Sequence, residues 1–289
     1  METAESLKRK ITVTRELRSV VRTMKALAAV SIRQFEKAER ALQDYSMTVD
    51  LGLHIVLRGR NIEVREPSGG PWGAVVFGSD QGMCGQFNAQ IAAYFDNTVR
   101  RETGGRDAVR IAALGVRGAA HLMLKGYRLE WTSGMPDAVS RINSAVQRLA
   151  VDIEDWQDKE GVWRIRIFHN RQRGGASFAP VAVDLIPVSA GWLRDIRQRS
   201  WKTKVLPVYT MEFGSIFSAL VRHHLLVTLY RSFAESLAAE NAARLASMQA
   251  AEHNVEEQLK ELQLAFHQER QTAITTELLD VIAGFESVQ

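Results

Sequence analysis

One cysteine, Cys84, stands in 289 residues. No intramolecular disulfide can form, a two-thiol redox switch is excluded, and there is no cysteine cluster for zinc or an iron–sulfur centre. Proline and glycine are scarce in one long region: of six prolines none follows Pro207, and no glycine lies between Gly214 and Gly284. About 70 residues therefore pass without a helix-stop signal. No apolar run approaches the roughly 18 residues needed to cross a bilayer. The N-terminus, with Glu2 and Glu5 ahead of Lys8-Arg9-Lys10, lacks the apolar region of a signal peptide. These absences predict a soluble, cytoplasmic chain with no transmembrane segment.

What fills the unbroken region is a helical pattern. From Glu212 to Phe285 apolar residues recur in steps of three and four, among them Phe233, Leu237, Met248, Val255, Leu259 and Leu262. Sustained this far, they predict a narrow seam that needs a partner helix. At 1.5 Å per residue the helix is roughly 110 Å long, whereas a compact domain of about 140 residues is roughly 35–40 Å across. The helix is expected to project beyond any globular body the chain can build.

The partner is at the other end. Residues 4–57 carry Leu7, Ile11, Leu17, Val20, Met24, Leu27, Phe35, Leu42, Tyr45 and Val49 on one broad stripe, interrupted only by Gly52. That gives roughly 80 Å of helix. Residues 1–60 hold 12 basic and 7 acidic groups, net about +5, and residues 212–289 hold 5 and 11, net about −6. Opposite charge and matching seams predict an antiparallel two-helix coiled coil in which the C-terminal helix outreaches its partner by roughly 30 Å.

Between the helices the chain alternates strand and helix patterns. Pro67-Ser68-Gly69-Gly70-Pro71 reads as a linker. Strands are expected at 72–77, 108–114 and 128–132, and helices at 88–101, 117–125 and 136–152. Residues 162–170 and 178–188 read as a hairpin with a basic turn, Arg171 to Gly175. In its first strand Trp163, Ile165 and Ile167 are expected inside, with Arg164, Arg166 and His169 on a wet face. Residues 192–204 read as a polar, basic stretch. The fold class is α/β: an open, mainly parallel, Rossmann-like domain plus the coiled coil. The expected divisions are residues 1–60, 71–208 and 209–289.

Several features invite a chemical reading. The glycine-rich run Gly78 to Asn88 follows a strand and precedes a helix, as a phosphate cradle does. Its spacing is not the dinucleotide fingerprint, however, and no Gly-Lys-Ser/Thr follows, so a structural loop is the better reading. Cys84 has no histidine beside it in sequence and reads as a small packed hydrophobe. His253 and Glu257, four residues apart, supply only two metal ligands and read as a surface pair; no cofactor and no catalytic residue is expected. The net charge of +4 and pI near 9.3 fit an acidic partner: nucleic acid, a membrane surface or acidic protein loops. The basic run from Lys8 to Lys25 has no interleaved aromatics and no groove-reading motif, so a protein partner ranks above nucleic acid.

The run Leu259 to Leu278, with Glu240 to Met248 before it, is very similar to the signature of the γ subunits of F-type ATP synthases. Gly82-Met83-Cys84-Gly85-Gln86-Phe87-Asn88 resembles the same family's Gly-Leu-Cys-Gly-x-x-Asn. Ile11, Met24, Ala28, Ala29 and Arg33 also match, whereas Val21 stands where threonine is usual and Ser31 where lysine is. These departures resemble a divergent, sodium-linked branch.

The resemblance implies a rotor shaft inside an α3β3 hexamer, its foot on the membrane c-ring and an ε subunit, peripheral to the cytoplasmic face of the bacterial inner membrane. It also implies that Arg270, Gln271 and Thr275 grip a β-subunit catch loop and that Met24 faces an acidic β-subunit lever. Leu278, Val281, Ile282 and Phe285 would sit in an apolar sleeve at the top of the ring. Arg22 and Lys25 join Met24 on charge grounds, and Arg171 and Arg173 are candidates to face the c-ring. Two other readings stand beside this one. A free-standing α/β ligand-binding or enzymatic domain, oligomerised by its coiled coil, predicts a small-molecule site at Gly82 to Asn88. A nucleic-acid-binding coiled coil predicts salt-sensitive retention on DNA.

Overall fold

The computed structural model describes residues 3–60, 71–103, 109–175, 177–201 and 205–286. Most of the expected linker before Pro71 lies outside the described residues. The elements in order are α1 (Ala4–Leu57), β1 (Trp72–Phe77), α2 (Phe87–Thr103), β2 (Val109–Leu114), α3 (Val116–Leu124), β3 (Trp131–Ser133), α4 (Val139–Glu160), β4 (Arg164–Gly174), β5 (Ser177–Ile186), α5 (Ala190–Gln198) and α6 (Phe213–Glu286). The chain divides into two units, Ala29–Arg244 and the pair Met1–Ala28 with Leu245–Gln289.

In the unit Ala29–Arg244 the sheet order is β3-β2-β1-β4-β5. The first four strands run parallel and β5 is antiparallel at the edge. β1 is buried along its whole length, and side-chain alternation divides its residues between two cores. Val75 and Phe77, with Leu114, Ile165 and Ile167, pack under α4 and against Leu229, Phe233 and Leu237 of α6. Trp72, Ala74 and Val76 pack on the other side against Ile91, Phe95 and Val99 of α2 and Leu122 of α3. The expected open, mainly parallel sheet with helices on both faces is present.

Several boundaries differ from the sequence reading. β3 lies at Trp131–Ser133 rather than 128–132. Helix α4 starts after Ala138, which is extended, and runs to Gly161, whose left-handed conformation closes it with bonds back to Gln157 and Trp156. The expected end at 152 carried no stop signal, so the helix runs on to the first glycine. The polar, basic stretch from 192 continues α5, which starts at Ala190 and is capped by the Ser189 hydroxyl.

The two long helices share a second correction. Residues 232–244 of α6 are buried all round, not along a narrow seam. Phe233, Ala234 and Leu237 face the sheet core, while Ala239 and Ala243 face Cys84 and Phe87. Small alanines let neighbours approach from several sides, which apolar periodicity alone does not register. The helices are antiparallel here: Ser46 accepts a bond from Arg231 at 3.2 Å, and Gly52 lies where an added Cβ would meet Leu220 at 3.1 Å. Glu212 starts α6 by accepting the backbone N–H groups of Gly214 and Ser215, both at 2.9 Å.

In the other unit the broad stripe expected on α1 splits in two. Leu7, Ile11, Thr14, Val21 and Ala28 are buried, as are Met248, Val255 and Leu259 of α6. Leu17, Val20 and Leu27 face outward, 48%, 55% and 62% exposed, with Val13 at 57%.

Candidate functional site

The glycine-rich turn sits at the carboxyl end of β1, between β2 and β4, where the strand order reverses and open α/β sheets bind ligands. Here the chain's own side chains fill the position. The Asp80 carboxylate accepts the backbone N–H of Val116, the first residue of α3, at 2.9 Å and that of Met135 at 2.8 Å. Asp80 thus caps the N-terminus of α3, while α2 is the helix that follows the glycine-rich turn directly. Asn88 accepts the Ser79 N–H at 2.9 Å and donates to the Ser79 hydroxyl at 2.8 Å, locking both ends of the turn.

The glycines serve this closure. Gly85 adopts φ +56°, and a Cβ on Gly78 would lie 2.4 Å from the Cα of Gly118 in α3. Gly82 has open space around it and requires no glycine on these grounds. Cys84 is 2% exposed, and burial pushes its thiol up, away from the reactive thiolate. With Phe87, Ala239 and Ala243 it forms a small apolar cluster, and Asn170 donates to the Phe87 carbonyl at 3.0 Å. The run read as a structural loop rather than a ligand cradle forms a seat in which α6 rests against the sheet.

A second set of contacts fastens α6 to β4. The Glu235 carboxylate accepts from His169 Nε2 and from Arg171 Nε, both at 2.7 Å. Trp163 was expected inside but precedes β4 and is 56% exposed, whereas His169 was expected on a wet face and is fully buried. It has the parity of Ile165 and Ile167, so strand alternation turns it inward with them. Its Nδ1 has no hydrogen-bond partner, which fits a neutral ring protonated on Nε2. Burial lowers the His169 pKa despite Glu235. Burial also acts to raise that of Glu235, but the bonds from His169 and Arg171 outweigh it and hold the carboxylate low. Phe77 and Phe233 meet edge to face at 4.7 Å beside this group. Further along α6, the buried Arg244 guanidinium donates to Glu240 at 2.6 Å. Arg171, a candidate to face the c-ring, is held here by Glu235, while Arg173 is exposed in the hairpin.

The residues expected at the tip of α6 are on its surface. Arg270, Gln271 and Thr275 are exposed, the Thr275 hydroxyl donating to the Gln271 carbonyl at 2.9 Å. Residues 271–279 are exposed without interruption. Leu278 and Ile282 are 60% and 47% exposed, while the side chains of Val281 and Phe285 are outside the described set. At the neck Met24 is half-buried. Arg22 donates to Glu252 at 2.7 Å and to Glu256 at 2.8 Å, and Lys25 donates to Glu252 as well. His253 and Glu257 form a surface pair at 3.4 Å. Among the described residues no group of three or more potential metal ligands occurs. Also among them, no helix is long and apolar enough to cross a membrane.

The sequence reading missed Glu252. Its signal was the gap in the series Met248, Val255, Leu259, where the step of four falls on position 252.

A mainly parallel α/β sheet packed against residues 229–243 of a long C-terminal helix, with a second long helix antiparallel to it, defines a class of coiled-coil-bearing α/β proteins. The ATP synthase family model matches residues 3–288. The ATP synthase γ chain of Allorhizobium ampelinum is 26% identical over 302 residues, covering all of both chains. That of Chlorobium phaeobacteroides is 26% identical over 306 residues, covering all of this chain and 99% of its own. Among solved structures, a chain from the rotor of the Euglena gracilis mitochondrial ATP synthase aligns with a TM-score of 0.64 at 12% identity, over 94% of this chain and 98% of that one. The chain belongs to the ATP synthase family, among its γ chains.

Proposed function

We propose that the chain is the central rotor shaft of a membrane ATP synthase, turning inside an α3β3 hexamer with its α/β foot on the c-ring and an ε subunit, at the cytoplasmic face of a bacterial inner membrane. In this reading residues 71–208 are the foot, and 1–60 and 209–289 the shaft. A single asymmetric coiled coil cannot present the same face to three equivalent sites. Each β subunit therefore meets different contacts, and rotation shifts each in turn among its conformations. Ion flow through the ring turns the shaft and drives synthesis; hydrolysis turns it back.

The observation that carries this reading is the exposure of apolar and hydrogen-bonding side chains where the hexamer would surround the shaft. Leu278 and Ile282 supply the apical sleeve with Val281 and Phe285, and Arg270, Gln271 and Thr275 the catch-loop contact. Met24 faces the lever, with Arg22 and Lys25 beside it. Those two cations are shared with Glu252 and Glu256, so their pull on an acidic lever is weaker than their formal charge suggests.

Arg270 tests the assignment. An exposed arginine contributes little to folding, so Arg270→Ala should leave the stability of the isolated chain within about 0.5 kcal/mol. It should lower ion-driven ATP synthesis by the assembled complex several-fold. Equal losses in stability and turnover would reassign the residue to a structural role.

A further inference from the structure

In the unit formed by Met1–Ala28 and Leu245–Gln289, opposite charges meet in one layer of the helix pair. The inward positions of α1 follow steps of four and three through Leu7, Ile11, Thr14, Arg18, Val21, Lys25 and Ala28, all buried or half-buried. Those of α6 follow the same steps through Met248, Glu252, Val255, Leu259 and Leu262. Lys25 and Glu252 therefore both occupy seam positions, and they pair with each other. Glu252 is 15% exposed at its side chain, and both its oxygens are engaged, Oε2 by Lys25 and Oε1 by Arg22 at 2.7 Å. Arg22 reaches on to Glu256 at 2.8 Å, one turn along α6.

We propose that the Lys25–Glu252 layer, braced by Arg22 and Glu256, sets the axial register of the two helices. Apolar layers do not set it sharply, because one layer of Val, Ile or Leu resembles the next. A charged layer does, because a displaced charge must sit in an apolar layer without its partner. A slip of seven residues that carried Glu252 to Arg18 would leave Lys25 against Leu245. Glu252 is in this sense a positioning residue. It fixes where Met24 and the outward stripe Val13, Leu17 and Val20 stand relative to Arg270 on the other helix. What that means for rotation rests on the rotor reading; the register itself does not.

Spin labels on cysteines replacing the exposed Arg15 and Glu261, in the full chain with Cys84→Ala, report the register as a distance. The native seam should give one narrow distance distribution. Lys25→Leu with Glu252→Leu, an apolar layer, should broaden it or add a second, longer-distance population from helices slipped axially by about 10 Å, one heptad of helix rise. The exchanged pair Lys25→Glu with Glu252→Lys should keep it narrow. If the double leucine variant loses helicity, Glu252→Gln is read in its place and should also broaden the distribution. A single narrow distance in whichever of these two variants is read would overturn the proposal, as would broadening in the exchanged pair. Neither result bears on the rotor reading, which the Arg270 experiment tests separately.

Discussion

His169 shows how one buried side chain ties a domain's stability to pH. Its ordinary value is 6.5, burial holds the folded value lower, and Arg171 beside it opposes a second positive charge. Below about 6.5 the unfolded chain therefore takes up a proton that the folded chain refuses. Stability is full above that pH and falls as pH drops toward the folded value. Burial lowers His224 as well, with the same sign. Glu235, held below its ordinary 4.5, adds a further loss in stronger acid. Denaturant unfolding of the full chain between pH 7 and 5 should show stability falling by up to about 1.4 kcal/mol per pH unit for each uncompensated proton. His169→Gln should remove one proton from that slope, whatever its effect on the stability at pH 7. An unchanged slope would mean that His169 titrates normally in the folded chain.

At the scale of elements, the periodicities that exposed both long helices did not show what surrounds them. Strand and helix order in the foot was legible because buried parallel strands are continuous apolar runs and the breakers fall at the turns. The all-round burial of α6 between Ser232 and Arg244 was not. The stretch carries Glu235, Glu240 and Arg244, which are buried against partners yet read in sequence as a solvent-facing side, and its alanines carry no periodic signal to distinguish packing from mere helix propensity. The division of the α1 stripe into Leu7 and Ile11 inside and Leu17 and Val20 outside was hidden too, because two adjacent apolar stripes read as one wide face. The candidate tip residues came from family resemblance alone; nothing in spacing or charge marks Arg270. The difference between covered and bare helix is measurable. Ala239 is fully buried against the glycine-rich seat, whereas Ala250, three turns on, is exposed. Ala239→Leu should cost about 1–3 kcal/mol by overpacking. Ala250→Leu should stay within about 0.5 kcal/mol. Equal effects in thermal unfolding would show that the seat is not tightly filled.

For the whole molecule, the two units make separable contributions, and a truncation distinguishes them. Residues 271–279 bury nothing within the chain, yet the run includes Ile274, Leu278 and Leu279, each more than half exposed. Exposed apolar side chains in succession on one helix are costly to leave in water and are expected to be covered by a partner. A chain ending at Arg270 should therefore keep the unfolding midpoint of the α/β unit, whose cores and α6 seat lie entirely within Ala29–Arg244. It should lose affinity for α3β3, because the surface removed is the one proposed to be covered by the hexamer. At about 25 cal/mol per Å² of apolar area, even a few such side chains account for several kcal/mol of binding, so the loss should appear as incomplete complex on gel filtration at micromolar concentration. The full chain should assemble at one copy per hexamer; three copies would contradict a shaft on the axis. Normal assembly by the truncated chain would move the essential contacts to α1, where Leu17, Val20 and Leu27 present an outward apolar surface.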